Sequence, residues 1–150
     1  MTDVKEAAPR KSRVFLADDS QELRDSLRKL LESEPDFVVC GEADTVQGAV
    51  DGISSSAPDV AIVDIGMGPQ SGFHVLRVLG TNSHIPILIF SMHPDALYAD
   101  AAFEVGAQGY LMKSEPDKIT TALRQILNGK LYDPRKTKTS RTINKGGRTS

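Results

Sequence analysis

The stretch RVFLADDSQELRDSLRKLL, residues 13–31, changes its periodicity halfway along, and that change decides the fold. Residues 13–17 form an apolar run of strand length. Leu23, Leu27, Leu30 and Leu31 then recur at the i, i+4, i+7, i+8 spacing of one helical face. Ser20 stands where an N-cap belongs, its hydroxyl available to a free N–H of the first turn. A strand running straight into a helix is the opening of a βα unit. Two adjacent carboxylates, Asp18 and Asp19, sit at the junction.

Outward from that stretch the alternation repeats. Residues 37–43 (FVVCGEA) give a second strand and 45–56 a weaker helix. Residues 59–64 (DVAIVD) give a third strand, followed by a short helix over 72–80 carrying Phe73, Leu76 and Leu79. A fourth strand spans 85–91, with Pro86 near its start, and a helix over 95–107 is closed by Gly106. The fifth strand is 109–113. The last helix spans 115–129, with Pro116 in its first turn and Gly129 closing it; Ile119, Leu123, Ile126 and Leu127 share a face. Five such units predict an α/β fold, a doubly wound parallel sheet with helices on both faces. The third to fifth strands are near-continuously apolar, as strands covered on both sides should be. The flavodoxin-like (βα)5 topology, strand order 2-1-3-4-5, is the preferred arrangement.

The totals agree. A chain of 150 residues suggests one domain, and its single cysteine, Cys40, rules out an internal disulfide. No apolar run reaches the roughly 18 residues of a membrane span, and the N-terminus lacks a secretory apolar stretch, so a cytoplasmic protein with no membrane partner is expected. Residues 133–150 carry a net +5 against −7 for the rest. The chain therefore divides into a flexible N-terminus over 1–11, a folded unit over 12–131 and a basic, disordered tail over 132–150.

In an open parallel sheet, ligands bind beyond the carboxyl ends of the strands. Strand one ends at Asp18-Asp19, strand three at Asp64, strand four at Ser91 and strand five at Lys113. A nucleotide-binding domain would place glycines after strand one to cradle phosphate; neither GxGxxG nor GxxxxGK[ST] is present. Two carboxylates ~5 Å apart repel by about 3 kcal/mol at an effective dielectric of 20. A hard divalent cation relieves this, and Mg2+ suits one or two carboxylates plus a phosphate oxygen. Asp64 is then the nucleophile that forms an aspartyl phosphate, while Lys113 and Ser91 engage the phosphoryl oxygens. Each residue taken singly has a plainer reading: helix-start acids, a turn Asp, a surface Ser or Lys. Their joint fall at strand ends favours the chemical one.

These residues resemble the receiver domains of two-component response regulators over about residues 12–131. The resemblance rests on FLADDS, VDIGMGPQSG, IFSMH and GYLMKS. It implies that Asp64 accepts a phosphoryl group from the phosphohistidine of a sensor histidine kinase. It further implies Mg2+ held by Asp18, Asp19, Asp64 and the backbone carbonyl of Gly66, with Asp19 the more direct ligand of the pair. Ser91 and Tyr110 would form the switch, Tyr110 turning inward on activation and altering the face of helix four, strand five and helix five. A homodimer through that face is compatible with this reading. The protein would assist its own phosphotransfer and dephosphorylation without being an enzyme for external substrates.

The segment FSMHPDALYADAAFEVGAQGYLMKS is similar to receivers of the NarL/LuxR type. Ser114 follows Lys113 where many receivers have proline, and Gly68-Pro69 follows Met67 where proline usually comes directly. His93 borders the site at a position that affects phosphoryl lifetime in the family. Met67, Met92 and Met112 also lie beside the site, where core packing accounts for them, and Cys40 is expected to be a small buried hydrophobe. Regulators of this type continue into a helix-turn-helix domain that acts in transcription. The 18 residues after Tyr132 cannot form one, so DNA contact would need an output domain absent from this chain. A Mg2+-dependent phosphatase and a binding module without phosphorylation are the alternatives. The first usually shows a DxD arrangement on strand one, and the second would not need the full set of acids, Ser and Lys.

Overall fold

The computed structural model describes residues 10–67, 72–82, 84–92 and 96–135. His93, Gly68 and Pro69, and most of both terminal segments, lie outside them. The elements are β1 (Ser12–Ala17), α1 (Gln21–Glu32), β2 (Phe37–Ala43), α2 (Val46–Ser56), β3 (Val60–Asp64), α3 (Gly72–Asn82), β4 (Ile87–Ser91), α4 (Ala96–Val105), β5 (Gly109–Met112) and α5 (Ile119–Leu127). All strands pair in parallel in the order β2-β1-β3-β4-β5, the order expected.

Alternation along the buried strands divides the apolar residues between two cores. Val14, Leu16, Val39, Ile62, Leu88 and Phe90 meet the stripe of α1 and α5, including Leu27, Leu31, Leu123 and Ile126. Phe15, Ala17, Ala61, Val63, Ile89 and Tyr110 face α2, α3 and α4 through Ala49, Ile53, Val75, Leu79 and Ala102. Ser20 caps α1 as expected, accepting the N–H of Leu23, and Thr45, placed inside the second helix by the sequence, caps it instead by accepting that of Gly48.

Four details differ from the expected elements. Strand β4 starts at Ile87, after Pro86, whose carbonyl accepts the Ala61 N–H at 3.0 Å; proline has no N–H to give a ladder. The last helix is broken, with a 3-10 turn at Pro116–Lys118 leading into α5. Strand β2 contains a bulge: Val14 pairs with Val39 but Phe15 with Gly41, so Cys40 is inserted. A β-carbon at Gly41 would come within 2.8 Å of the Phe15 ring, and one at Gly52 within 2.6 Å, so two glycines form the slot for that ring.

The fourth concerns the C-terminal limit. Packing continues beyond residue 131. Tyr132 is 6% exposed and bridges Gly109, donating its N–H to Gln108 and accepting that of Tyr110. Asp133 is also buried, and Arg135 joins it to Asp100 of α4.

Candidate functional site

The strand order brings the ends of β1, β3, β4 and β5 to one rim. Carboxylate oxygens of Asp18, Asp19 and Asp64 lie within 4.8 Å of one another, the one such group of potential metal ligands among the described residues. The Lys113 ammonium sits between two of them, 2.8 Å from Asp18 Oδ2 and 3.3 Å from Asp64 Oδ1. The Lys113 backbone N–H donates to the Ser91 carbonyl at 2.7 Å, which ties the end of β5 to that of β4. Asp18, Asp64 and Ser91 are buried, whereas Asp19 and Gly66 are exposed. The set is all oxygen, with one exposed carboxylate at its mouth, and it fits a hard cation such as Mg2+.

Electrostatics follow from this crowding. Burial pushes the Asp64 carboxyl above its ordinary range, and the charge of Asp18 adds to that. The Gly66 N–H, 3.1 Å from Oδ1, and Lys113 oppose it. Burial alone would lower Lys113. Its hydrogen bond to Asp18 and the charges of Asp64 and Asp18 outweigh this and hold it above its ordinary value.

The remaining expected residues divide. Tyr110 is 3% exposed, already inside the core facing α4. Met67 is a core residue, but Met92 is 74% exposed, so core packing does not account for it. Cys40 is partly buried at the bulge and packs against the α2-side core.

Three residues beside the site, Arg24, Arg28 and Glu42, were not anticipated. Arg24 of α1 donates from Nη1 to the Asp18 carbonyl and from Nε to Glu42 at 2.8 Å. Arg28 binds the other oxygen of Glu42. A charged residue near the end of the apolar run FVVCGEA was the available signal, but its face depends on a bulge that the run itself does not reveal.

Comparison with known proteins agrees with this geometry. Residues 14–124 match the family model of the response regulator receiver domain. The chain is 37% identical over 124 residues to the transcriptional regulatory protein DesR of Bacillus subtilis, covering 81% of this chain and 61% of that protein. Across the curated relatives it spans between 46% and 61% of their length. Among solved structures, a LuxR-family two-component response regulator from Aurantimonas sp. SI85-9A1 superimposes with a TM-score of 0.78 at 31% identity, covering 81% of this chain and 89% of that one. The receiver domain of the putative response regulator NarL from Mycobacterium tuberculosis gives 0.77 at 28% identity, over 81% of this chain and all of that one. Among the described residues no helix is long and apolar enough to cross a membrane. With a family model spanning most of its folded length and relatives of the NarL/LuxR type, this chain belongs to the receiver domains of two-component response regulators.

Proposed function

We propose that this receiver is a phosphoacceptor switch, with Asp64 the accepting residue, a sensor histidine kinase the donor and Mg2+ the cofactor. The observation that carries the reading is the meeting of Asp18, Asp19 and Asp64 around the Lys113 ammonium. Asp18, Asp19, Asp64 and the Gly66 carbonyl would hold the ion, which supplies positive charge against the acids and the phosphoryl oxygens.

Gly66 N–H and Lys113 both engage Oδ1 of Asp64, so Oδ2 is the oxygen that attacks phosphorus. An O–P bond forms as the P–N bond to the kinase imidazole breaks. Lys113 then moves part of its charge from Asp64 to the phosphoryl group, helped by the Ser91 hydroxyl. The inward position of Tyr110 is the one whose population phosphorylation raises, together with the matching arrangement of α4, β5 and α5. The transcriptional names of its relatives support an output in gene regulation, through a domain of the whole protein or a separate partner.

The test is intact mass after incubation with Mg2+ and acetyl phosphate. A single phosphoryl adduct is expected on the wild type and none on Asp64→Asn. An adduct that persists in the variant, or none on the wild type with any phosphodonor, overturns the reading.

A further inference from the structure

We propose that Arg24 is a positioning residue for the acid pair, and that the bulge at Cys40 delivers its counter-ion, Glu42. The proposal rests on the metal-binding reading above and assigns a role to groups outside the set of ligands.

The argument begins with parity. Before the bulge, Phe37 and Val39 face the α1 and α5 side of the sheet. Strict alternation would keep Gly41 on that side and turn Glu42 toward α2. A one-residue slip moves every following side chain to the other face. After Cys40, Gly41 lies against Phe15 on the α2 side, and Glu42 pairs in register with Leu16 on the α1 side. There it receives Arg24 and Arg28, one on each carboxylate oxygen. Ala43, next in line, accepts the Asp18 N–H at 3.0 Å.

Arg24 is largely buried, its side chain 11% exposed, and its planar fork spans two acceptors. The carbonyl it holds belongs to the peptide bond between Asp18 and Asp19, so its direction sets how the second acid leaves the first. Asp18 Oδ1 is meanwhile fixed by the Ser20 N–H at 2.9 Å. Among the described residues Asp19 has no such restraint of its own; the oriented peptide plane is what presents it. Glu42, shared with Arg28, offsets part of the guanidinium charge, which would otherwise oppose a cation at the same corner.

Position and charge therefore make opposite forecasts. If Arg24 acted only as a charge, removing it would tighten Mg2+ binding. If it positions the acids, removing it weakens binding, and outer supports of metal ligands typically matter by 10–100-fold.

The experiment is calorimetric titration of the full chain with Mg2+, alongside thermal melts. Arg24→Ala is expected to raise the Mg2+ dissociation constant about tenfold. Arg24→Lys, which keeps the charge but loses the fork, should follow the alanine variant. Arg28→Ala, which touches Glu42 but not Asp18, should change affinity by less than about threefold. Should Arg24→Ala fail to fold, Arg24→Lys carries the same comparison, since a charge alone would leave its affinity unchanged. Wild-type or tighter affinity in folded Arg24→Ala or Arg24→Lys overturns the positioning role alone. A wild type that ignores Mg2+, or an Asp19→Asn variant that binds it normally, overturns the metal reading beneath it.

Discussion

Asp18 and Asp64 are both nearly buried carboxylates, 3% and 6% exposed, at the ends of neighbouring strands, yet they are held in different ways. Asp18 has its N–H on Ala43, its carbonyl on Arg24, one carboxylate oxygen on Ser20 and the other on Lys113. The contacts on the Asp64 carboxylate, from Gly66 and Lys113, both fall on Oδ1. One acid is a fixed part of the frame. The other has both of these contacts on one oxygen, leaving Oδ2 for the phosphotransfer proposed above, and carries the electrostatic cost of its place. On that proposal, a framework charge and a reacting charge differ in where their hydrogen bonds end.

Removing Lys113, the group the two acids share, is the severest test of that contrast. Lys113→Ala leaves two almost buried carboxylates facing each other and should cost about 3 kcal/mol at pH 7 in urea unfolding. A loss under about 1 kcal/mol would mean that water already screens the pair. The raised Lys113 value implies that its contribution is fully present below 10.5 and is lost as pH climbs through its higher folded value.

Overpacking the Phe15 slot strikes the framework side. Gly41→Val, beside the bulge, should lower stability by about 2 kcal/mol, because a β-carbon there lies 2.8 Å from the ring. A neutral result would show that β2 can shed its bulge.

Neutralising each acid in turn should give opposite signs. Asp18→Asn loses charge-assisted bonds and should destabilise by about 2 kcal/mol. Asp64→Asn removes a costly buried charge and should stabilise by on the order of 1 kcal/mol at pH 7. Because the folded pKa of Asp64 is raised, the wild type binds its proton more tightly folded than unfolded. The advantage of Asn should therefore shrink as pH falls through that raised value and vanish below 3.8. Equal signs for the two substitutions would erase the distinction drawn here.

The smallest effect sets the baseline. Arg124 pairs with Glu34 and Asp36 at the surface and lies 5.3 Å from the ring centroid of the buried Phe37. Arg124→Ala should cost about 0.5–1 kcal/mol, less in high salt.

Much of this was legible beforehand, for a physical reason. Apolar runs buried on both faces and helices with one apolar stripe are properties of a single segment, so the five units and their strand-end acids could be read directly. The bulge at Cys40 could not, because register belongs to two strands at once and FVVCGEA shows no clear alternation to break. Arg24 and Glu42 were invisible for the same cause. Met92 was misjudged in depth, since one residue past a strand end can face solvent.

Tyr132 carries a practical consequence. The family match ends at residue 124 and α5 at Leu127, so either would be a natural place to shorten the chain. Doing so would strip Tyr132 from the outer side of β5 and leave the Tyr110 N–H and Gln108 carbonyl bare. An uncovered strand of that kind is a template on which other molecules add, and a trimmed version should tend toward self-association where the longer one stays dispersed.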